Sequence, residues 1–303
     1  MKEKKSKYTL LYLFAKLIRI ENLIMIALVL YVANDYIIRK EGVGLPMSYL
    51  IVLILSTTFI AAGGYVINDY FDLKIDRINR PDEVIIEKTI HRKAAILWHL
   101  FFSILGFVGG VYLGIKVEHI SFSIIQLLSI VLLVAYSNVL KKIFIVGNLA
   151  IALLTGLLPM LPYIYVNALY PQISILTLNA LLSLSAFAFF TTIIRELIKD
   201  IQDMEGDKEG GRNTIPVRWG LLPSKIIVFF LTFLLIIFLI PFNVYYILKN
   251  NFGAVIYNVI FLIIPSIILM ILDVVIKDFR QFGWLSALMK LIMLTGVVFY
   301  YIF

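Results

Sequence analysis

Asn68, Asp69, Asp72 and Asp76 crowd into one short run, Asn68-Asp69-Tyr70-Phe71-Asp72-Leu73-Lys74-Ile75-Asp76-Arg77-Ile78-Asn79-Arg80-Pro81. If a single helix continues through them, 100° per residue puts Asp72, Asp76 and Asp69 at about 40°, 80° and 100° from Asn68, on one face. That face is costly for a solvated helix end and sensible for a cation site. The spacing recurs as Asp200-x-x-Asp203-x-x-x-Asp207. Carboxylates with an amide oxygen, in a chain with no cysteine, form a hard oxygen site suited to Mg²⁺, Mn²⁺ or Ca²⁺ and not to zinc or copper. Mg²⁺ takes one or two carboxylates and completes its shell with water and phosphate oxygens. Two such elements facing each other across a shared pocket would clamp a diphosphate, each with its own metal ion.

Each acidic run leads into a basic, Asn-containing stretch with a proline, Arg77-Ile78-Asn79-Arg80-Pro81 and Arg212-Asn213-Thr214-Ile215-Pro216. Arg77, Lys141, Lys199 and Arg212 are candidate donors to phosphate oxygens, the arginines through bidentate contact. Salt bridges to neighbouring aspartates explain Arg77 and Lys199 equally well. Lys142 is more simply a loop lysine.

The elements that position these groups are membrane helices. Of the 303 residues, 61% are hydrophobic and the mean hydropathy is +0.97, whereas soluble domains lie nearer 45–50% apolar. The fold expected is all-α, a polytopic membrane bundle forming one domain over residues 1–303. Runs of about twenty apolar residues cross a bilayer, and nine are expected, roughly at 10–36, 48–68, 94–115, 120–140, 143–166, 173–195, 224–247, 252–276 and 284–303. With the N-terminus cytoplasmic, the basic residues of Met1–Lys7 and of the loops near 69–93 and 196–223 share one side. The other side then holds only Arg39, Lys40, Lys116 and Lys249. Both acidic runs, and the two long loops that cap them, fall on the cytoplasmic side, and the C-terminus falls outside. The acidic runs follow spans two and six, which suggests a four-helix unit used twice with one extra span.

The net charge of +8 needs no nucleic acid, because membrane proteins gather lysine and arginine on one face. Disulfide and thiolate chemistry are excluded by the lack of cysteine. The basic start lacks a small-residue cleavage site and reads as a cytosolic tail rather than a signal peptide. No feature asks for a protein partner.

An apolar pocket under a charged cap suits an isoprenyl diphosphate. Metal-assisted departure of an allylic diphosphate leaves a cation-like carbon that aromatic faces stabilise, and Tyr65, Tyr70 and Tyr136 lie near enough to the acidic runs to line the site. Water must be kept out, which gives the long loops a role as a lid.

Asn68-Asp69-x-x-Asp72-x-x-x-Asp76 resembles the first signature, N-D-x-x-D-x-x-x-D, of the UbiA superfamily of intramembrane prenyltransferases. Lys199-Asp200-Ile201-Gln202-Asp203-Met204-Glu205-Gly206-Asp207 resembles the second, K-D-x-x-D-x-x-G-D. Tyr136-Ser137 followed by Leu140-Lys141 is similar to the family's segment at the end of span four. Arg19 and Asn22 resemble its R-P-x-N element, with Ile20 in place of the proline. The resemblance implies Mg²⁺-dependent transfer of a prenyl group from a polyprenyl diphosphate to a lipophilic acceptor. It further implies that Asn68, Asp72, Asp203 and Asp207 bind metal, that Asp69, Asp76 and Asp200 ligate or support it, and that Lys141 and Arg212 hold diphosphate. Arg19, Asn22, Arg77, Tyr136 and Lys199 are expected at the substrates, and Asp72, Asp76, Asp203 and Asp207 at the catalytic centre.

Two other functions compete. A cation-coupled secondary transporter would place its acids near the bilayer midplane, but these stand at helix ends. A CDP-alcohol phosphotransferase would need a D-G-x-x-A-R core that the chain lacks. The acceptor stays open at this point, between an aromatic quinone precursor, a haem and a glycerol ether lipid. An ionisable residue inside a span is a functional candidate, which singles out Arg19, although pairing with Glu21 explains it as well. His91, His99 and His119 read as interfacial, and Gly63-Gly64 as a site of close helix packing.

Overall fold

The computed structural model describes residues 2–303, with side-chain surroundings from residue 10 onward, so the side chains of Lys2, Lys4, Lys5 and Lys7 lie outside the described residues. The described residues form helices joined by short loops and turns, with one isolated bridge between Ile86 and Ile90. In chain order the α-helices are α1 (Lys2–Leu17), α2 (Ile20–Val32), α3 (Met47–Asn79), α4 (Arg92–Lys116), α5 (Ser123–Asn138), α6 (Val146–Leu157) and α7 (Met160–Leu169). Then follow α8 (Ile175–Gln202), α9 (Met204–Glu209), α10 (Ile215–Trp219), α11 (Leu221–Leu248), α12 (Phe252–Asn258), α13 (Ile264–Val275) and α14 (Phe282–Ile302).

Among the described residues, eight segments are long and apolar enough to cross a membrane: Ile20–Glu41, Met47–Asn79, Arg92–Lys116, Ile120–Asn138, Ile175–Gln202, Leu221–Leu248, Phe252–Val275 and Phe279–Ile302. Val146–Leu157 with Met160–Leu169 makes a ninth if that interrupted pair is one span. The protein is therefore an all-α polytopic membrane protein. Helix α4 shows why lipid is its solvent. Its large apolar residues Leu97, Ile104, Val108 and Ile115 face outward, while His99, Ser103, Gly106, Gly110 and Gly114 are buried. Small and polar residues inside, with bulky apolar ones outside, is how helices associate in a bilayer.

Several expected boundaries move. The span placed at 10–36 is interrupted: Arg19 takes φ 52°, ψ 57°, which ends α1 and starts α2, so the span itself begins at Ile20. The loop expected from residue 69 is mostly helix. Helix α3 runs eleven residues further and ends at Asn79, because Pro81 disfavours helical backbone at Arg80 (φ −145°). The loop expected from 196 likewise starts only after Gln202.

The chain divides into two compact units, residues 1–140 with 161–174, and residues 141–160 with 175–303. The first is built on α3 against α4 and α5. A Cβ on Gly106 would lie 2.5 Å from the Ile60 side chain and 2.8 Å from the Ser56 carbonyl, and the Ser56 hydroxyl donates to the Gly106 carbonyl at 2.6 Å. Gly63 meets the His99 carbonyl at 3.1 Å, and Gly64 meets Leu133, so the glycine pair does permit close packing. His99 is buried, and its Nδ1 lies 3.0 Å from the Gly63 carbonyl. At the end of α3, Leu73 packs with Leu17, Val84, Ile85, Ile86 and Ile90, so the segment after Pro81 folds back on the helix that carries the first acidic run. The second unit packs Ile194, Leu197, Ile198 and Ile201 of α8 against Val228, Leu269, Leu285, Met289 and Ile292.

Gly106→Val should lower the detergent melting temperature, with a cost of about 1–3 kcal/mol for overpacking. Leu105→Val on the exposed side of the same helix should leave it unchanged. Equal melting of the two variants would contradict the packing described.

Candidate active site

In the first unit, one continuous helix carries the whole first run, as the 100° geometry requires. Asn68 Nδ2 donates to Asp72 Oδ2 at 2.9 Å, one turn apart, and Asp72 is buried. The left-handed Arg19 aims its guanidinium at this helix: Nη2 lies 2.9 Å from Asp69 Oδ1, and its carbon sits 4.9 Å over the Tyr65 ring. Arg19 thus pairs with the acidic run. Asn22 lies in the first turn of α2, its amide bonded to the Arg19 carbonyl. Asp76 is half-buried one turn beyond Asp72. Arg77 points away to Glu87, which also receives Arg92 at 2.8 Å. Arg77 therefore fastens the folded-back segment to α3.

The second run does not copy the first in three dimensions, although its spacing is identical. Helix α8 ends at Gln202, Asp203 takes φ −97°, ψ 8°, and α9 starts at Met204. Asp200 stays on α8, where Asn148 Nδ2 of α6 donates to its Oδ2 at 2.7 Å. Asp203 sits at the break, and its carbonyl accepts the Asp207 amide. Asp207 is 1% exposed and pairs with Arg212 at 2.9 Å. Gly211, at φ 68°, turns the chain so that Arg212 returns to Asp207. Burial pulls the Arg212 guanidinium down to about 10, which leaves it a cation at neutral pH. Lys199 Nζ lies 2.9 Å from Glu196 Oε1.

Lys141 is buried in the short turn Leu140–Lys142, whereas Lys142 is exposed. The Lys142 carbonyl accepts the Asn213 amide at 3.1 Å, so the turn bearing Lys141 is held against the segment that follows Arg212. Arg218 stacked over Phe144 at 4.9 Å closes the same junction. Tyr136 is half-buried near the end of α5. Sequence reasoning missed Asn148, Glu196 and Glu87. Glu196 carried a signal, an acid inside an apolar span; Asn148, a single amide in an apolar run, carried little.

The donor set fits magnesium in kind, since it is carboxylate and amide oxygen throughout. Among the described residues no three carboxylates or imidazoles gather into a closed metal cage. An ion that takes one or two carboxylates and completes its shell with phosphate oxygens does not need one.

Residues 23–294 match the UbiA prenyltransferase family. The chain is 33% identical over 222 residues to digeranylgeranylglyceryl phosphate synthase of Methanosphaera stadtmanae, a match that covers 73% of this chain and 75% of the relative. In fold it is similar to a solved digeranylgeranylglyceryl phosphate synthase, with TM-score 0.64, 24% identity, and 97% and 99% of the two chains covered. It also shares its fold with a UbiA homolog from Archaeoglobus fulgidus solved with GPP and Mg²⁺, with TM-score 0.58, 17% identity, and 95% and 99% covered. With both acidic motifs inside the matched region and the fold shared along nearly its whole length, the chain belongs to the UbiA prenyltransferase family.

Proposed function

We propose that this protein transfers a geranylgeranyl group from its diphosphate to a glycerol ether phosphate, with release of diphosphate. The observation that carries the choice of acceptor is the 33% identity to digeranylgeranylglyceryl phosphate synthase across three quarters of that relative. Removing one geranylgeranyl chain from the product in that name leaves a singly alkylated glyceryl phosphate with one hydroxyl, and that hydroxyl is the nucleophile. The C–O bond to diphosphate breaks with its electron pair on the leaving oxygen. A new ether C–O bond forms at the same carbon, and the hydroxyl proton is released.

Asn68, Asp69, Asp72 and Asp76 would hold one Mg²⁺ ion, and Asp200, Asp203 and Asp207 a second. When bound, the metal neutralises charge that builds on the departing diphosphate. Asn68 orients Asp72 by its amide. Arg19, stacked over the Tyr65 ring, holds Asp69, and Asn148 fixes Asp200. Lys141 and Arg212, brought to one junction of the second unit, supply donors to phosphate oxygens. Both acidic motifs belong on the cytoplasmic side, with the N-terminus inside, as the lysine and arginine bias favours.

The test is diphosphate release from geranylgeranyl diphosphate by detergent-purified protein, with and without Mg²⁺. Three acceptors are offered: geranylgeranylglyceryl phosphate, 4-hydroxybenzoate and dihydroxynaphthoate. Mg²⁺-dependent release with the glyceryl phosphate alone is the expected result. Turnover of an aromatic acceptor instead would overturn the acceptor, and no release with any of them would overturn the reaction.

A further inference from the structure

Helix α8 buries two ionisable groups, Arg195 and Glu196, that the donor chemistry leaves unassigned. Arg195 and Glu196 stand before the second acidic motif, inside the span Ile175–Gln202. Their side chains are 14% and 12% exposed, and that of Lys199 is 23%. Glu196 Oε1 takes Lys199 Nζ at 2.9 Å and Arg195 Nη1 at 3.5 Å, so one carboxylate oxygen gathers two cations at one spot. The three side chains sum to one positive charge. Ile194, Leu197, Ile198 and Ile201 make the buried packing face of this stretch. Placing a guanidinium at that depth costs several kcal/mol, and a leucine would avoid the cost.

We infer that Arg195, steadied by Glu196 and assisted by Lys199, is the site that recognises the phosphate of the acceptor. This rests on the acceptor proposed above. A helix rises 1.5 Å per residue, so Arg195 lies about 7.5 Å deeper along α8 than Asp200. The acidic motif belongs with the donor's diphosphate. The reacting carbon hangs from that diphosphate on the membrane side, and the acceptor hydroxyl must attack it from the side away from the leaving group. In a glyceryl phosphate the phosphate is only a carbon or two from that hydroxyl. Its anchor therefore belongs deeper than the diphosphate but still at the inner end of the span, which is the level of Arg195. A phosphate monoester carries about −1.5 to −2 charge at neutral pH and three acceptor oxygens. A guanidinium fork matches that geometry better than an ammonium does. An alcohol lacking the phosphate gains nothing from it, so Arg195 also sets specificity.

The experiment measures binding of geranylgeranylglyceryl phosphate, and of its dephosphorylated alcohol, to full-length protein in detergent with EDTA. Mg²⁺-dependent binding of geranylgeranyl diphosphate is measured beside it. Wild type should prefer the phosphate at least tenfold over the alcohol. Arg195→Gln should weaken phosphate binding by about 10- to 100-fold, leave the alcohol and the diphosphate within twofold, and raise KM for the acceptor more than it lowers kcat. Arg195→Lys should recover part of the loss. Should Arg195→Gln fail to fold, Lys199→Gln should show a smaller loss of the same selectivity. Unchanged preference in every variant that folds, or a loss confined to the diphosphate, would overturn this assignment while wild-type prenylation of the glyceryl phosphate upholds the function. Wild type that neither binds nor prenylates the glyceryl phosphate would overturn both.

Discussion

Asp72→Ala and Asp203→Ala should each lower turnover about a thousandfold or more, while Lys142→Ala stays near wild type. The size follows from where the charge is needed. Groups placed in advance where charge develops in the transition state are worth about 10²–10³ each in rate, and a carboxylate that also holds a metal adds the loss of the ion. Asp72 is buried, with Asn68 hydrogen-bonded to it, so removing the carboxylate also strips the amide of that partner. Asp203 is held differently. It stands at the break between α8 and α9 with its carbonyl bonded to the Asp207 amide, and a mutation there leaves that backbone bond in place. Asp203→Ala should therefore be the cleaner catalytic lesion, folding and melting like wild type with its activity gone. Lys142, exposed and contributing its carbonyl to the junction, keeps that carbonyl when its side chain is cut. Rates across a Mg²⁺ titration decide the matter. Asp72→Asn and Asp203→Asn should need more Mg²⁺ for half-maximal rate, and equal activity in all the variants would sink the site assignment.

How far the site could be read from sequence depends on what each residue's neighbours are. The first acidic run was legible because spacing alone determines its face on a helix, and the helix does continue through it. Its end was legible too, in Pro81, yet a reading by polarity starts a loop at residue 69; inside a bilayer protein a polar stretch can still be the cytoplasmic end of a helix. The second run shows the opposite limit. Its spacing matches the first, but the backbone turns at Asp203, and no glycine or proline stands there to announce it. For Arg77 and Lys199 phosphate contact and salt bridges to neighbouring aspartates were equally good readings, and both engage a glutamate, Glu87 and Glu196, in the described contacts. Glu87 lies across a folded segment with φ 72°, a tertiary partnership that no local pattern specifies. Asn148 is hidden for the same reason, since only the packing of α6 on α8 brings its amide to Asp200.

Arg212→Met should be the most destabilising single change near the site, at about 3–5 kcal/mol, because it leaves a buried carboxylate without its cation. Asp207 is 1% exposed and Arg212 12%, with 2.9 Å between them, so water screens neither. The cost is the penalty of an uncompensated charge and is not the worth of the pair, and the two can be separated. Asp207→Asn with Arg212→Met removes both charges while keeping similar volumes, and should recover most of the lost stability. A buried pair replaced by neutral groups is often close to neutral. Thermal unfolding of the two single variants and the double variant in one detergent gives the coupling directly. Activity should not follow stability back. If Asp207 and Arg212 serve the metal and the diphosphate, the double variant melts near wild type and still turns over no substrate. Arg212→Lys keeps the charge but loses the fork, so it should fold and bind diphosphate more weakly. A double variant that regains both stability and turnover would make the pair a purely structural clasp between α9 and the segment after Gly211, and would leave Lys141 as the phosphate donor at that junction.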